Sequence, residues 1–162
     1  MEQYQTGWQR LLAFFIDAFL TEVARTAINA LVWLHLGLLF NILIAIAYST
    51  VTVAYFVYMH ARFGQTIGKF IARVRVVDIS GRRISYNQAI LRDVVPCLLL
   101  PITLWTSLYT VIHEEYPGFL VYRLAYQFAF LWLILELVTM MFNEQRRAVH
   151  DFIARTVVVR VP

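Results

Sequence analysis

One cysteine, Cys97, serves the whole chain of 162 residues. A lone thiol forms no internal disulfide and finds no second cysteine for a metal site. Disulfide-stapled and zinc-ribbon folds are therefore excluded, and Cys97 reads as a packing residue. Charge is scarce too: Asp, Glu, Lys and Arg make up 15% of the residues, against roughly 25% in soluble domains. Catalytic groups are also missing. His150 and Asp151 stand together as a catalytic fragment would, yet no Ser or Cys nucleophile is placed to use them and no His/Cys cluster has zinc spacing. The chain reads as neither an enzyme nor a metalloprotein, with no cofactor implied. No linker, low-complexity tract or internal repeat is evident.

Apolar side chains are what the chain has in abundance. Hydrophobic residues make up 60% of it and its mean hydropathy is +0.65, above the roughly 45–50% apolar content of soluble domains. They fall in long blocks, while most charges crowd into 62–93 and 143–160. Crossing about 30 Å of hydrocarbon at 1.5 Å per residue takes about 20 apolar residues. Four stretches meet that length: 11–34, 37–59, 94–112 and 119–142. The first is too long for a cleaved signal peptide, carries Asp17 and lacks a small-residue cleavage pattern after it. It is expected to persist in the mature protein. His35 and Leu36 join the first two spans as a hairpin, and 113–118, ending in Pro117-Gly118, turns between the last two. Pro96 and Pro101 should kink the third.

Orientation follows from the basic residues. Arg10, Arg62, Lys69, Arg73, Arg75, Arg82, Arg83, Arg92, Arg146, Arg147, Arg155 and Arg160 all fall on one side of a four-span arrangement. By the positive-inside rule that side is the cytoplasm, which then holds both termini, the loop 60–93 and the tail 143–162. The net charge of +4 is thus explained by membrane-flanking loops, and nucleic acid is not an expected partner.

The cytoplasmic segments carry their own signals. Residues 70–78 alternate with the strand period, Ser80-Gly81 supplies a turn, and 82–86 gives a second short run. The β-branched Thr156–Val161 adds a third. Residues 145–155 place Val149, Phe152 and Ile153 against Arg146, Arg147, His150 and Asp151 at helical spacing, as an interfacial amphipathic helix does. The fold expected is an all-α membrane protein, a four-transmembrane-helix bundle with a small cytoplasmic β-hairpin or sheet and a C-terminal interfacial helix, in one domain.

Function is sought among the ionisable residues inside the spans: Asp17, Glu22 and Arg25 in the first, Arg123 and Glu136 in the fourth. Each charge at mid-bilayer costs roughly 2.5–3.5 kcal/mol on insertion scales, so all must face protein or water. Depth sorts them into an inner acidic layer, Asp17 with Glu136, and an outer layer in which Glu22 balances Arg25 and Arg123. Arg10, at the start of the first helix, opposes the macrodipole and needs a carboxylate, Asp17 or Asp151. One reading makes these charges neutral structural pairs. The other makes the carboxylates proton-exchanging groups whose burial tunes them towards physiological pH.

The run Gly64-Gln65-Thr66-Ile67-Gly68-Lys69 looks at first like a phosphate loop, but three residues separate the glycines where four are needed, and Phe70 stands where Ser or Thr should bind Mg²⁺. Glycines turning the chain at the membrane surface suit it better. Lys69, Arg73, Arg75, Arg82 and Arg83 would then meet anionic lipid headgroups or a partner protein.

Three segments together resemble the RDD family of small bacterial membrane proteins, named for one arginine and two aspartates: Gly7-Trp8-Gln9-Arg10 to Asp17, Gly64 to Lys69 with the following Arg-Val-Arg-Val-Val-Asp, and Arg146-Arg147-Ala148-Val149-His150-Asp151. The resemblance implies Arg10, Asp17 and Asp151 as the naming residues, a bacterial cytoplasmic membrane, and cation/proton antiport as the activity usually proposed. A small secondary transporter is thus expected, with Asp17, Glu136 and Glu22 exchanging protons and Arg10 and Asp151 gating. Four helices enclose little volume, so a homo-oligomer is expected as well. The rival expectation is a non-transporting scaffold or assembly factor that docks a partner or anionic lipid through its basic loop.

Overall fold

The structure, a computed structural model, describes residues 4–32, 37–94, 97, 105, 109 and 119–161. Its elements in chain order are α1 Gly7–Val32, α2 Leu38–Phe63, α3 Ile67–Ile71, β1 Val74–Asp78, α4 Tyr86–Arg92, α5 Phe119–Met141, α6 Val149–Ile153 and β2 Thr156–Arg160. The protein is therefore mostly helical with a small two-stranded sheet. Among the described residues, α2 alone is long and apolar enough to cross a membrane, with a mean hydropathy of 1.9 over its best window. Only 6% of that window is buried within the protein, so its apolar surface needs a non-aqueous neighbour. α1 has the same length but carries Asp17, Glu22 and Arg25, and α5 keeps a shorter apolar stretch, Gln127–Met141. The expected third span, its prolines Pro96 and Pro101, and the turns at 35–36 and 113–118 lie outside the described residues.

The two strands run antiparallel with Val76 opposite Val158 and Val74 opposite Arg160. Val74, Val76 and Val158 are fully buried and pack with Ala13 of α1, Ala72, Ile84 and Ala89 of α4. The third strand expected at 82–86 is absent. Ile84 instead plugs the core, and Ser85 caps α4: its hydroxyl accepts from the Gln88 N–H at 3.2 Å while the Gln88 side chain accepts from the Ser85 N–H at 3.0 Å. The strand read from residue 70 starts only at Val74, because Thr66 caps a helical turn over the preceding residues. The amphipathic helix read over 145–155 is likewise a five-residue helix, α6.

An internal duplication underlies this arrangement, contrary to the expectation of none. Phe70-Ile71-Ala72-Arg73 recurs as Phe152-Ile153-Ala154-Arg155, 82 positions on, and the following Val76-Val77 recurs as Val158-Val159. The same offset relates Tyr4 to Tyr86 and Arg10 to Arg92. The backbone repeats with the sequence. Arg73 and Arg155 both take positive φ, 56° and 52°, and so do Gly64 and Arg146, at 68° and 52°. Ala72 N–H reaches the Gly68 carbonyl at 2.9 Å, as Ala154 N–H reaches His150 at 3.0 Å; the Val161 N–H donates to Arg73 as that of Ile79 donates to Arg155. The pairing partners show the symmetry: Val76 and Val158 are equivalent residues and face each other, so a pseudo-two-fold axis passes between them.

Candidate functional site

Local geometry explains the glycines of the 64–69 segment. Gly64 ends α2 in the left-handed conformation, its N–H on the His60 carbonyl at 2.9 Å. Gly68 is required for another reason: a Cβ there would lie 2.3 Å from the Ala13 carbonyl oxygen and 2.8 Å from the Asp17 carboxyl carbon. The start of α3 is thus pressed against α1. Asp17 fastens it, one oxygen accepting from the Gly68 N–H at 2.8 Å and the other from the Thr66 hydroxyl. This is a capping carboxylate supplied from another helix, at the positive end of a helical turn.

Lys69, the only lysine in the chain, turns inward rather than towards solvent or headgroups. Its ammonium donates to His60 Nε2 at 2.8 Å, and His60 Nδ1–H donates to Asp93 at 2.7 Å. Asp93 thereby fixes the tautomer, leaving the Nε2 lone pair for lysine. Burial, then the nearby charge of Arg92, pushes the Lys69 ammonium down to about 8. On Asp93 burial is the largest influence and acts upward, but the hydrogen bond from His60, with the charges of Lys69 and Arg92, holds the carboxyl below its ordinary value. The result is a three-membered relay that joins the first half, through His60 and Lys69, to the second, through Asp93.

A second cluster surrounds Asp151, which is fully buried. It accepts from Arg10 at 2.7 Å, from Arg92, from the Thr156 hydroxyl at 3.2 Å and from the Ala148 N–H at 2.9 Å. Burial alone would raise this carboxyl; the two guanidiniums and the Ala148 N–H overcome it and hold Asp151 well below the usual carboxylate range. His150 lies beside it, 3.6 Å from the carboxylate, and its Nδ1 meets Glu136 of α5, which also accepts from Trp132 Nε1 at 2.8 Å. Burial and the Arg92 charge hold His150 below its ordinary value, so its neutral ring donates to Glu136 through Nδ1–H. Arg10 continues to the Arg146 carbonyl at 2.7 Å, and Arg147 reaches the Asp151 and Thr156 carbonyls at 3.0 Å each.

The residues singled out from the sequence fall into three groups. Arg10 and Asp151 are brought together, settling which carboxylate serves Arg10. Asp17 and Glu136 end on different partners, Thr66 with Gly68 in one case and His150 with Trp132 in the other. Glu22 and Arg25 pair within α1 on its exposed face, and Arg123 is exposed on α5. Arg73, Arg75, Arg82 and Arg83 are exposed around the sheet. His60, Arg92 and Asp93 join the network without having been singled out as site residues, and His150, weighed only as half of a catalytic fragment, pairs with Glu136. The signal that could have found Arg92 is its repeat relation to Arg10.

A groove of about 460 Å³ runs between α1 and α2, with Asp17, Thr21, Tyr48, Thr52 and Tyr55 among its lining residues. Tyr48 donates across it to the Thr21 carbonyl at 3.1 Å, and the Tyr55 hydroxyl accepts from the Ile67 N–H at 3.1 Å. Asp17 thus stands between this groove and the α3 segment. Among the described residues no group of His, Cys, Asp and Glu could hold a metal ion.

The family model for the RDD family matches residues 4–155. The chain belongs to the RDD family. That membership fits a membrane-associated protein and agrees with the apolar α2. No curated protein matches the chain, and no solved structure matches it either. The three residues that the resemblance singles out have distinct structural duties: Arg10 and Asp151 form one ion pair, while Asp17 caps α3.

Proposed function

We propose that this RDD protein is a small secondary transporter of the bacterial cytoplasmic membrane that exchanges protons for a monovalent cation. It crosses the bilayer four times with both termini in the cytoplasm and acts as a homo-oligomer. The observation that carries this reading is the position of Asp17. Its carboxylate lines the groove between α1 and α2 and, on its other side, touches the turn that holds Lys69 of the Lys69–His60–Asp93 relay. In this mostly apolar groove a cation would meet one carboxylate, that of Asp17, beside the turn that carries Lys69. Duplication supports the same reading, since transporters built from parallel repeats place their sites at the repeat interface and move one repeat against the other. Arg10 with Asp151, and His60 with Asp93, are the polar contacts that such a movement would break and remake. Glu136, bound to His150, would take part from α5, and Glu22 with Arg25 and Arg123 would balance charge towards the outer half.

Purified protein in liposomes is expected to dissipate an imposed pH gradient when Na⁺ or K⁺ is added, and Asp17→Asn is expected to abolish this. Flux unchanged by the substitution would remove Asp17 from the mechanism. A second reading draws on the full satisfaction of Asp151, which resembles a static lock, and on the exposed arginines around the sheet. As a scaffold the protein would show no flux, and a crosslinked partner would be lost when Arg73, Arg75, Arg82 and Arg83 are neutralised.

A further inference from the structure

A cleft of about 590 Å³ opens at the end of α2, between the 64–70 turn and the β1–α4 connection. Three arginines line it: Arg62 from the last turn of α2, Arg75 from β1 and Arg83 from the connection. No carboxylate is among its lining residues. Arg62 and Arg83 make no hydrogen bond or ion pair with the described residues, and Arg75 makes only a 3.3 Å bond to Gln65. Uncompensated guanidiniums crowded in one cleft are mutually repulsive, and a bound anion relieves that. The remaining wall is apolar and open: Phe63 is 51% exposed, Ile67 43% and Phe70 71%. These side chains continue the exposed apolar surface of α2, the helix long and apolar enough to cross a membrane.

From this we infer that the cleft binds one anionic phospholipid, its phosphate held by Arg62, Arg75 and Arg83 and an acyl chain laid along Phe63, Ile67 and Phe70. Cationic head and apolar wall meet at the end of α2, where a headgroup meets its chain. The duplication provides an internal control. In the second half the positions of Arg62 and Arg75 are held by Glu144 and Val157, so the charge is not a by-product of the repeated backbone. One lipid per chain is the expected stoichiometry. Lys69, Arg73 and Arg82 take no part: the first is committed to His60, and the other two do not line the cleft.

The test is native mass spectrometry of the detergent-purified full chain titrated with phosphatidylglycerol or phosphatidylcholine, giving Kd for the first bound lipid. Phosphatidylglycerol is expected to bind one per chain, well above phosphatidylcholine. Each Arg→Gln in the cleft should weaken it about fivefold, and R62Q/R75Q/R83Q on the order of 100-fold. R73Q/R82Q/R160Q removes the same charge from exposed positions elsewhere and should change Kd less than about twofold. Equal losses in the two triple variants would overturn the inference in favour of diffuse attraction. Unchanged binding in the cleft variant would overturn it outright. Competition separates headgroup from free anion: millimolar inorganic phosphate should leave the lipid bound, and its displacement would make the cleft a phosphate site instead. Both triple variants must elute and melt as the native chain does, and R62Q alone serves if the cleft triple variant does not.

Discussion

Arg10 and Arg92 occupy the same position in the two halves of the chain, and both guanidiniums end on the one carboxylate of Asp151. A symmetric pair of cations thus closes on an asymmetric anion, for Lys69 holds the position equivalent to Asp151 in the first half. Asp151→Asn leaves two guanidiniums facing an amide in the interior, and breaking a buried pair in this way costs about 3–5 kcal/mol. The expected result is a large fall in melting temperature in detergent. Arg10→Gln and Arg92→Gln should each destabilise by less, and the double variant should deviate from additivity because both act on one carboxylate. Additive losses would mean that the two arginines are not coupled.

Gly68 gives a sharper test of how α3 docks. Its missing side chain lets the α3 turn sit against the Ala13 carbonyl and receive the Asp17 carboxylate. Gly68→Ala forces backbone apart at a contact that cannot yield by rotating a side chain, so a loss of about 1–3 kcal/mol is expected. Gly81→Ala is a useful contrast. Open space surrounds it, and only its φ of 80° is strained, so the loss should be near 1 kcal/mol. Thermal unfolding of both variants in the same detergent compares them. Equal effects would contradict the close approach.

Much of this was legible in the sequence, for identifiable reasons. Apolar blocks are a property of composition along the chain, and the helices α1, α2 and α5 follow from them, α2 alone among the described residues being long and apolar enough to cross a membrane. The ion pair of Arg10 with a carboxylate followed from the helix dipole. What misled was the tetrapeptide Phe-Ile-Ala-Arg, which read as strand at 70–73, where alternation continues into Val74 and Val76, and as helix at 152–155, where His150 and Asp151 precede it. One sequence given two structures is itself the mark of a repeat. Both copies are the end of a short helix followed by an arginine with positive φ. The Lys69–His60–Asp93 relay stayed hidden because its members are dispersed along the chain and meet only through packing. A lysine between a glycine and a phenylalanine reads as a surface cation, and nothing local says that it faces a histidine.

The two networks should give opposite ends of the pH profile their slopes. Lys69 is held down to about 8 against an ordinary 10.5, so the folded state releases its proton more readily than the unfolded chain. Its contribution is fully present above about 10.5 and is lost as pH falls through about 8. Between those values stability should rise with pH, by at most about 1.4 kcal/mol per unit. Asp151 is also depressed, from 3.8. Its contribution is therefore present above that ordinary value and lost as pH falls through the lower folded one. Denaturation followed across pH 7–11 in native protein and Lys69→Met should show the alkaline rise only in the former. A rise that survives the substitution belongs to another group.

The pseudo-two-fold axis makes a covalent prediction. Val76 and Val158 are equivalent residues that face each other across the antiparallel pair. The Val76 N–H points away from β2, donating to the Gly64 carbonyl at 2.7 Å, which marks this as a non-hydrogen-bonded pair with Cα atoms about 4.5 Å apart. That lies within the span of a disulfide. With Cys97 replaced by serine, Val76→Cys/Val158→Cys should close on mild oxidation and shift the chain on a non-reducing gel. Val76→Cys/Val159→Cys should not, because one step along a strand turns the thiol to the opposite face. Reversal of that preference would mean that β2 is slipped by one residue. The axis would then pass between unlike residues, and the halves would no longer be related by symmetry at the sheet.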